Sequence, residues 1–188
     1  MSSRAPFSGA RMRQNRKKSL TSVPYTLIHL FMTVRPIRRS EIPLLTDFLY
    51  EAIFQGGGAP LPRTVIQHPA LWRYVDRFGS RRHDHCLVAE QEGVIVGAVW
   101  VRRMHGFGFR NTATPEMAVA VYPQWRGQGT GTSLVAAMLQ LLHREGYTAV
   151  SLSVQRANPA VRLYQRAGFT VAEATDEEYV MVKNFLPL

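Results

Sequence analysis

The segment that most constrains the fold is Tyr122–Thr132, in which three glycines stand two residues apart between two apolar stretches. The stretch before it, Met117–Val121, is uniformly apolar, and the stretch after it, Leu134–Leu142, has apolar residues at helical spacing. This pattern predicts a strand, a turn opened by Pro123, and a helix. The free N–H groups and positive dipole at the start of such a helix favour an anion, so a phosphate or pyrophosphate is the expected ligand.

The spacing of Gly127, Gly129 and Gly131 narrows the kind of phosphate ligand. It is neither the G-x-G-x-x-G of a dinucleotide fold nor a nucleotide-triphosphate loop, which requires a following Gly-Lys-Ser/Thr. Arg126–Gly131 instead resembles the R/Q-x-x-G-x-G/A signature of the GNAT superfamily of N-acetyltransferases, which in that family holds the pyrophosphate of acetyl-coenzyme A. On this motif alone, a glycine-rich turn that only closes a strand–helix unit is the alternative interpretation.

A second stretch, Ser151–Phe169, resembles the second GNAT signature, a strand followed by N-x-x-A/V-x-x-L-Y-x-x-x-G-F. Its local chemistry is consistent with that signature. Asn158 is a good helix N-cap, Pro159 suits the first helical position, and Gly168 stands where a left-handed residue ends a helix. The two signatures occur in the family's order, and the resemblance covers about residues 32 to 185.

The resemblance implies an α/β fold with a mixed, twisted sheet of about six to seven strands and about four helices, whose fourth and fifth strands splay apart to admit coenzyme A. The periodicity of the chain agrees with this fold class. The predicted strands are Val34–Ile37, Cys86–Gln91, Val94–Arg103, Met117–Val121, Ala149–Val154, Thr170–Glu173 and Tyr179–Lys183. The predicted helices are one capped by Ser40, then Pro69–Phe78, Ser133–Glu145 and Pro159–Ala167.

Length and composition indicate one globular domain, since 188 residues with 46% apolar content can build a sizeable core without any apolar run of membrane-spanning length. We expect residues 32–188 to form a single N-acetyltransferase domain. Residues 1–31 hold six basic side chains and no acid, which predicts a disordered basic extension. Because Met32 begins a segment that resembles the start of a GNAT domain, an upstream start codon or cloning is one origin for this extension, and the sequence leaves open whether it belongs to the native protein. The single cysteine, Cys86, excludes an internal disulfide, is expected to be buried, and fits a reducing, cytoplasmic location.

The net charge of +10 raises the question of nucleic-acid binding. Because six basic residues lie in the first 31 positions, residues 32–188 carry only 17 basic against 13 acidic side chains. Arg81–Arg82 and Arg102–Arg103 lack interleaved aromatic residues and are expected on solvated faces. His83–His85 provides too few ligands for a metal and is predicted to be a solvated turn. We therefore predict neither metal nor nucleic-acid nor membrane partners, with binding through the basic N-terminal arm as the competing hypothesis.

Acetyl transfer to an amine requires that the amine lose its proton. A lysine-like amine has a pKa near 10.4, so its deprotonation at pH 7 costs about 4.6 kcal/mol, and a general base or a desolvating pocket must help. The resemblance implies that Glu116, at the start of the strand before the glycine loop, is this catalytic base. The alternative is a solvated carboxylate at a strand end, and a raised pKa of Glu116 would favour the catalytic role.

The resemblance also assigns the remaining site residues. Tyr164 stands at the position of the family's general acid, which protonates the leaving thiolate, although core packing is an alternative role for it. A backbone N–H within Val119–Val121 would meet the oxyanion, and Arg126 is expected to contact an anionic ligand. The residues expected to bind the co-substrate acetyl-coenzyme A (acetyl-CoA) are Val119, Ala120, Val121, Arg126, Gly127, Gln128, Gly129, Thr130, Gly131, Thr132, Asn158 and Tyr164.

The function that the resemblance implies is transfer of the acetyl group of acetyl-CoA to a primary amine by direct attack in a ternary complex. A non-catalytic acyl-CoA-binding sensor domain is the alternative. The acceptor, a small-molecule amine or a protein amine, is expected between the loop Gln55–Arg63 and the acidic hairpin Glu173–Tyr179, which we hypothesise attracts a cationic amine unless it is only a solvated turn. The oligomeric state is open, with a homodimer as one option.

Overall fold

Seven strands form one mixed sheet within residues 32–187, the part of the protein that the computed structural model describes. In spatial order they are β1 (Thr33–Pro36), β2 (His85–Gln91), β3 (Val94–Arg102), β4 (Glu116–Val121), β5 (Ala149–Gln155), β7 (Glu178–Asn184) and β6 (Thr170–Ala174). Neighbouring strands are antiparallel except β4 and β5, which are parallel. The predicted fold class is confirmed.

Helices cover both faces of this sheet. One face carries α1 (Leu45–Ala52) and α2 (Pro69–Trp72), and the other carries α3 (Thr130–Arg144) and α4 (Ala160–Arg166). Short 3₁₀ helices occur at Arg39–Leu44, Arg63–Gln67 and Pro123–Trp125. The central strands β2 to β5 bury side chains on both faces, because alternate side chains point to opposite sides of the sheet, whereas every residue of the edge strand β6 is exposed. No helix in residues 32–187 is both long and apolar enough to cross a membrane.

The sheet opens between β4 and β5. The register between the two strands is limited to the pair Glu116 and Ser151, where the Ser151 N–H donates to the Pro115 carbonyl at 3.0 Å. From that point the strands diverge towards their carboxyl ends, and the glycine loop follows β4 at this opening. The expected splay of the fourth and fifth strands is thereby confirmed, and it places a gap at the carboxyl ends of the strands.

Two predicted helix starts and one helix end are wrong. Ser40 lies inside a 3₁₀ helix and caps nothing; the Glu41 carboxylate instead accepts the Arg38 N–H at 2.7 Å. α3 begins at Thr130, three residues before its predicted start, so the glycine loop leads straight into the helix. The remaining element ends agree with prediction within about one residue, apart from α2.

The early end of α2 has a physical cause. The helix predicted to reach Phe78 stops at Trp72 and continues as turns. The Arg102 guanidinium donates to the carbonyls of Arg73 at 2.9 Å and Asp76 at 2.7 Å. These carbonyls are therefore not available to accept the backbone hydrogen bonds of a further helical turn. Arg77 also has a positive φ of 47°, which is incompatible with a continuing right-handed helix.

The predicted solvent exposure of Arg102 and of the turn His83–His85 is wrong. Arg102 and Asp84 form an ion pair at 2.7 Å in which both side chains are 0% exposed. The ring nitrogens of His83 and His85 lie 2.7 and 3.0 Å from the Tyr147 hydroxyl. The turn is thus held against the sheet by side chains distant in sequence, which local patterning could not reveal.

The expected burial of Cys86 is confirmed, and burial raises the pKa of its thiol. The predictions for residues 1–31 fall outside the described residues. The assignment of residues 32–188 to a single domain stays a prediction.

Candidate active site

The glycine loop presents a row of free backbone amides. Gly127 and Gly129 have φ values of +73° and +86°, a left-handed conformation that glycine adopts readily. At the start of α3, the first backbone N–H with an acceptor is that of Ser133, which bonds to the Gly129 carbonyl at 3.0 Å. The six N–H groups from Gly127 to Thr132 therefore lack a protein acceptor within residues 32–187. Together with the helix dipole they have the geometry and charge that favour an anion.

Contacts around this loop fix its shape. The Thr130 hydroxyl donates to the Trp125 carbonyl at 3.4 Å, and the Gln128 amide donates to the Gln124 carbonyl at 3.1 Å. Gly131 lets α3 approach α4 closely, since a methyl group on it would lie 3.3 Å from Leu163 Cδ1. The predicted phosphate-binding residues consequently lie beside the helix that carries Tyr164.

Arg126 has a different environment from the one expected. Its guanidinium donates to the Val121 carbonyl at 2.8 Å and to the Glu51 carboxylate of α1 at 2.8 Å. These bonds tie the loop to the end of β4 and to α1. Contact between Arg126 and an anionic ligand stays a prediction.

The backbone of β4 offers different groups to its two sides. The Tyr122 N–H donates to Val96 across the β3 side at 3.0 Å, whereas the Pro115 carbonyl accepts from Ser151 on the β5 side at 3.0 Å. Backbone groups alternate in direction along a strand. The N–H and C=O groups of even-numbered residues of β4 therefore point towards β3, and those of odd-numbered residues point towards β5.

This alternation sorts the three residues predicted for the oxyanion. Val119 and Val121 turn their backbone groups into the gap, and Ala120 turns its groups towards β3. The Val121 carbonyl is occupied by Arg126. The Val119 N–H is therefore the donor best placed for an oxyanion in the gap.

Tyr164 is buried in the core on the α3 face, where its ring packs edge-on against Phe169 at 5.8 Å. Burial raises the pKa of its hydroxyl. The group therefore stays protonated and available as a donor. The predicted cap of its helix is confirmed, since Asn158 Oδ1 accepts the Ala160 N–H at 2.9 Å, and Gly168 ends the helix with a φ of +87°.

Glu116 lies on the opposite, α1 face and is only 2% exposed. Its Oε1 accepts from the Tyr74 hydroxyl and from the Gly108 N–H at 2.7 Å. Burial raises the pKa of Glu116, and these hydrogen bonds oppose the shift. The alternative of a solvated carboxylate is excluded by this burial, whereas the raised pKa is the property expected of a base.

The structure places the candidate base and acid on either side of the gap without direct contact between them. The side chains of Ala118 and Ala120 share the α1 face with Glu116, and those of Met117 and Val121 share the α3 face with Tyr164. A reacting group in the gap could thus be approached from both faces.

Sequence reasoning missed Tyr74 and the role of the loop 103–115. Gly108 of this loop packs so close to β5 that a methyl group on it would lie 2.6 Å from the Leu152 backbone carbon. A methyl group on Gly106 would lie 2.4 Å from Glu116 Oε2. The glycines flanking Phe107 were the available signal, because they mark places where the backbone approaches another group closely.

Comparison with known proteins identifies the class to which this fold and site belong. The family model described as the acetyltransferase (GNAT) family matches residues 51–169. The chain therefore belongs to the GNAT family of acetyltransferases. Similar solved structures include a GCN5-related N-acetyltransferase from Kribbella flavida, with a TM-score of 0.60 at 19% identity over 82% of this chain and 98% of that one.

Another is the PaiA N-acetyltransferase from Thermoplasma acidophilum in complex with coenzyme A, with a TM-score of 0.65 at 14% identity over 83% of this chain and all of that one. These likenesses concern the fold. Among curated proteins, mycothiol acetyltransferases from Brachybacterium faecium and Arthrobacter sp. are 36% and 35% identical over 87 and 85 residues, 46% and 45% of this chain. The match spans about a quarter, 26%, of the length of each of these relatives.

Proposed function

We propose that the protein transfers the acetyl group of acetyl-CoA to a primary amine by direct attack in a ternary complex. The observation that carries this proposal is the row of acceptor-free amides from Gly127 to Thr132 at the mouth of the gap between β4 and β5. These amides would bind the pyrophosphate and direct the thioester towards Val119. Membership of the GNAT family supports this assignment.

In this proposal, two side chains carry out the proton transfers that the reaction needs. The amine nitrogen bonds to the thioester carbonyl carbon, and the oxyanion that forms accepts from the Val119 N–H. Glu116 takes the proton of the amine. As the carbon–sulfur bond breaks, the thiolate takes the proton of the Tyr164 hydroxyl, which solvent later replaces. Burial supports the role of Glu116, because it raises the pKa of this carboxyl; it also keeps Tyr164 protonated, although a raised pKa makes the tyrosine hydroxyl a weaker acid.

The acceptor side of the proposal includes the acidic hairpin. Glu178 is occupied by the Ser153 hydroxyl at 3.1 Å, and Glu173 pairs with Arg110. Asp176 and Glu177 are exposed and so are the carboxylates that would attract a cationic amine. Replacing Asp176 by Asn and Glu177 by Gln should raise the Michaelis constant of an acceptor that carries further positive charge besides its reactive amine. The Michaelis constant of an acceptor with no other charge should be unchanged. An unchanged constant for both would remove the hairpin from the acceptor site.

The proposal is tested by coenzyme A binding and by thiol release from acetyl-CoA with a panel of amines: polyamines, amino acids, an amine-bearing antibiotic, small thiol-containing amines and a peptide with a free N-terminus. The names of the curated relatives justify the thiol-containing amines. Calorimetry should detect binding of coenzyme A, and at least one amine should release thiol. Absence of heat with both coenzyme A and acetyl-CoA would refute the proposal.

Tyr164→Phe separates an enzyme from a binding domain. The variant should lower kcat and leave the affinity for coenzyme A nearly unchanged, because the lost hydroxyl acts on the leaving thiolate. Tyr147→Phe is the matched control, since the Tyr147 hydroxyl contacts His83 and His85 beyond the carboxyl end of α3, at the opposite end of that helix from the glycine loop. Binding of acetyl-CoA without turnover of any amine would point to the non-catalytic sensor.

A further inference from the structure

The carboxylate of Glu116 is held asymmetrically. Oε1 accepts two hydrogen bonds, from the Tyr74 hydroxyl and the Gly108 N–H, whereas the equally buried Oε2 has no partner among residues 32–187. Gly106 packs against this free oxygen, and a methyl group there would lie 2.4 Å from it. A proton arriving at Glu116 is therefore accepted at Oε2, against which Gly106 packs so closely that only a glycine fits, and the Gly106 backbone favours the ionised carboxylate.

Tyr74 is itself fixed in direction. Its hydroxyl oxygen accepts the Phe107 N–H at 3.0 Å, and its ring stacks with that of Phe107 at 6.3 Å. A tyrosine hydroxyl has one proton to donate, so that proton must point to Glu116. Burial raises the pKa of Tyr74, which keeps the hydroxyl a neutral donor throughout the range of an enzyme assay.

We propose that Tyr74 is a positioning residue that orients Glu116 with Oε2 free and sets the pH above which Glu116 accepts a proton. The inference deepens the proposed function and rests on it for its catalytic part. Its structural part, the control of Glu116 by Tyr74, stands on the hydrogen-bond network alone. The arrangement joins the turns that follow α2, the loop after β3, and strand β4, which carry residues 74, 107 and 116.

Other charged groups near Glu116 are already committed. Arg73 from the α2 side donates to the His105 carbonyl and favours the ionised carboxylate. Arg102, the cross-strand neighbour of Glu116 on β3, is neutralised by Asp84. From the loop, the His105 ring stacks on Phe109 at 3.8 Å, and β5 contributes an uncharged residue at the paired position. Tyr74 is therefore the neighbour whose removal should change the titration of Glu116 most selectively.

The direct test is the titration of the Glu116 carboxyl carbon by NMR in the wild-type protein and in Tyr74→Phe. A hydrogen bond to the ionised form lowers a carboxyl pKa, so its loss should raise the pKa of Glu116, by about one to two units for one bond to a charged group. Tyr50→Phe, which removes a hydroxyl elsewhere on the same face, should leave the titration unchanged. Identical titrations of wild type and Tyr74→Phe would overturn the proposal, whether or not the protein proves to be an acetyltransferase.

The catalytic part is tested by the pH profile of kcat with the best amine of the panel. Activity needs ionised Glu116, so the acid limb should move to higher pH in Tyr74→Phe, with about a 5- to 50-fold loss relative to wild type at the wild-type midpoint that recovers as the pH rises. The amine titrates in the same way with the wild type and with Tyr74→Phe, so its pKa does not affect the difference between their two pH profiles. A uniform loss at every pH would contradict the role of Tyr74, and full activity of Glu116→Gln would instead refute Glu116 as the base.

Discussion

Gly129→Ala tests whether the left-handed loop conformation holds the phosphate ligand. Gly129 has a φ of +86°, and a methyl group there would meet no atom within 4 Å. The substitution therefore introduces conformational strain without a clash, worth about 1–2 kcal/mol for an L-residue in this region. Because the loop is exposed, the free loop should relax, and the strain returns when the ligand requires the native conformation. The dissociation constant of coenzyme A should rise about 5- to 30-fold by calorimetry.

Gly93→Ala is the matched control for this prediction. Gly93 has a φ of +78° in the turn between β2 and β3, and a methyl group there would also meet nothing within 4 Å. Its strain should appear as a lower Tm and leave the affinity for coenzyme A unchanged. If Gly129→Ala loses neither Tm nor affinity, or if Gly93→Ala weakens coenzyme A equally, the reasoning about the loop is refuted.

Three further predictions concern stability and reactivity. Asp84→Asn leaves a buried guanidinium without its counter-charge and should cost about 3–5 kcal/mol of unfolding free energy in urea, whereas Asp47→Asn breaks an exposed pair and should cost under about 1 kcal/mol. Hydrogen bonds from Arg35 and Arg38 lower the pKa of Glu41 to about 2. The contribution of Glu41 to the free energy of unfolding should therefore be complete above its ordinary pKa of about 4.5 and fade as the pH falls towards 2. Equal destabilisation by Glu41→Gln at pH 7 and pH 2.5 would contradict this prediction. Cys86 should react with a thiol reagent only upon unfolding, and rapid reaction of the native protein would show that it is accessible.

The parts of the site that sequence predicted are those encoded by local chemistry. The glycine loop combines left-handed φ values with a helix start, and both requirements are written in neighbouring residues. The helix of Tyr164 has its cap two residues from the bonded amide, at Asn158 and Ala160. Such signals need no knowledge of the rest of the fold, which is why they were recovered together with the order of strands and helices.

The parts that sequence missed depend on contacts between distant residues. Tyr74 and Glu116 are 42 positions apart, and their hydrogen bond exists only after the turns following α2 pack beneath the loop after β3. The same cause shortens α2, where a long-range guanidinium takes the carbonyls that the next helical turn would use. Arg102 was expected in solvent because an arginine pair in a sequence does not reveal a buried partner 18 residues away.

One strand, β4, coordinates the whole proposed reaction. Its odd-numbered residues turn backbone groups into the gap at Val119, while its first side chain, Glu116, lies on the α1 face. Tyr164 lies on the α3 face, beside the loop that would bind the coenzyme. In the proposed reaction, the amine would approach from the α1 face, where Glu116 would accept its proton, and the thiolate would leave on the α3 face, where Tyr164 would supply a proton. This separation explains why the two proton transfers need no shared residue, and why changes on the two faces should affect different steps.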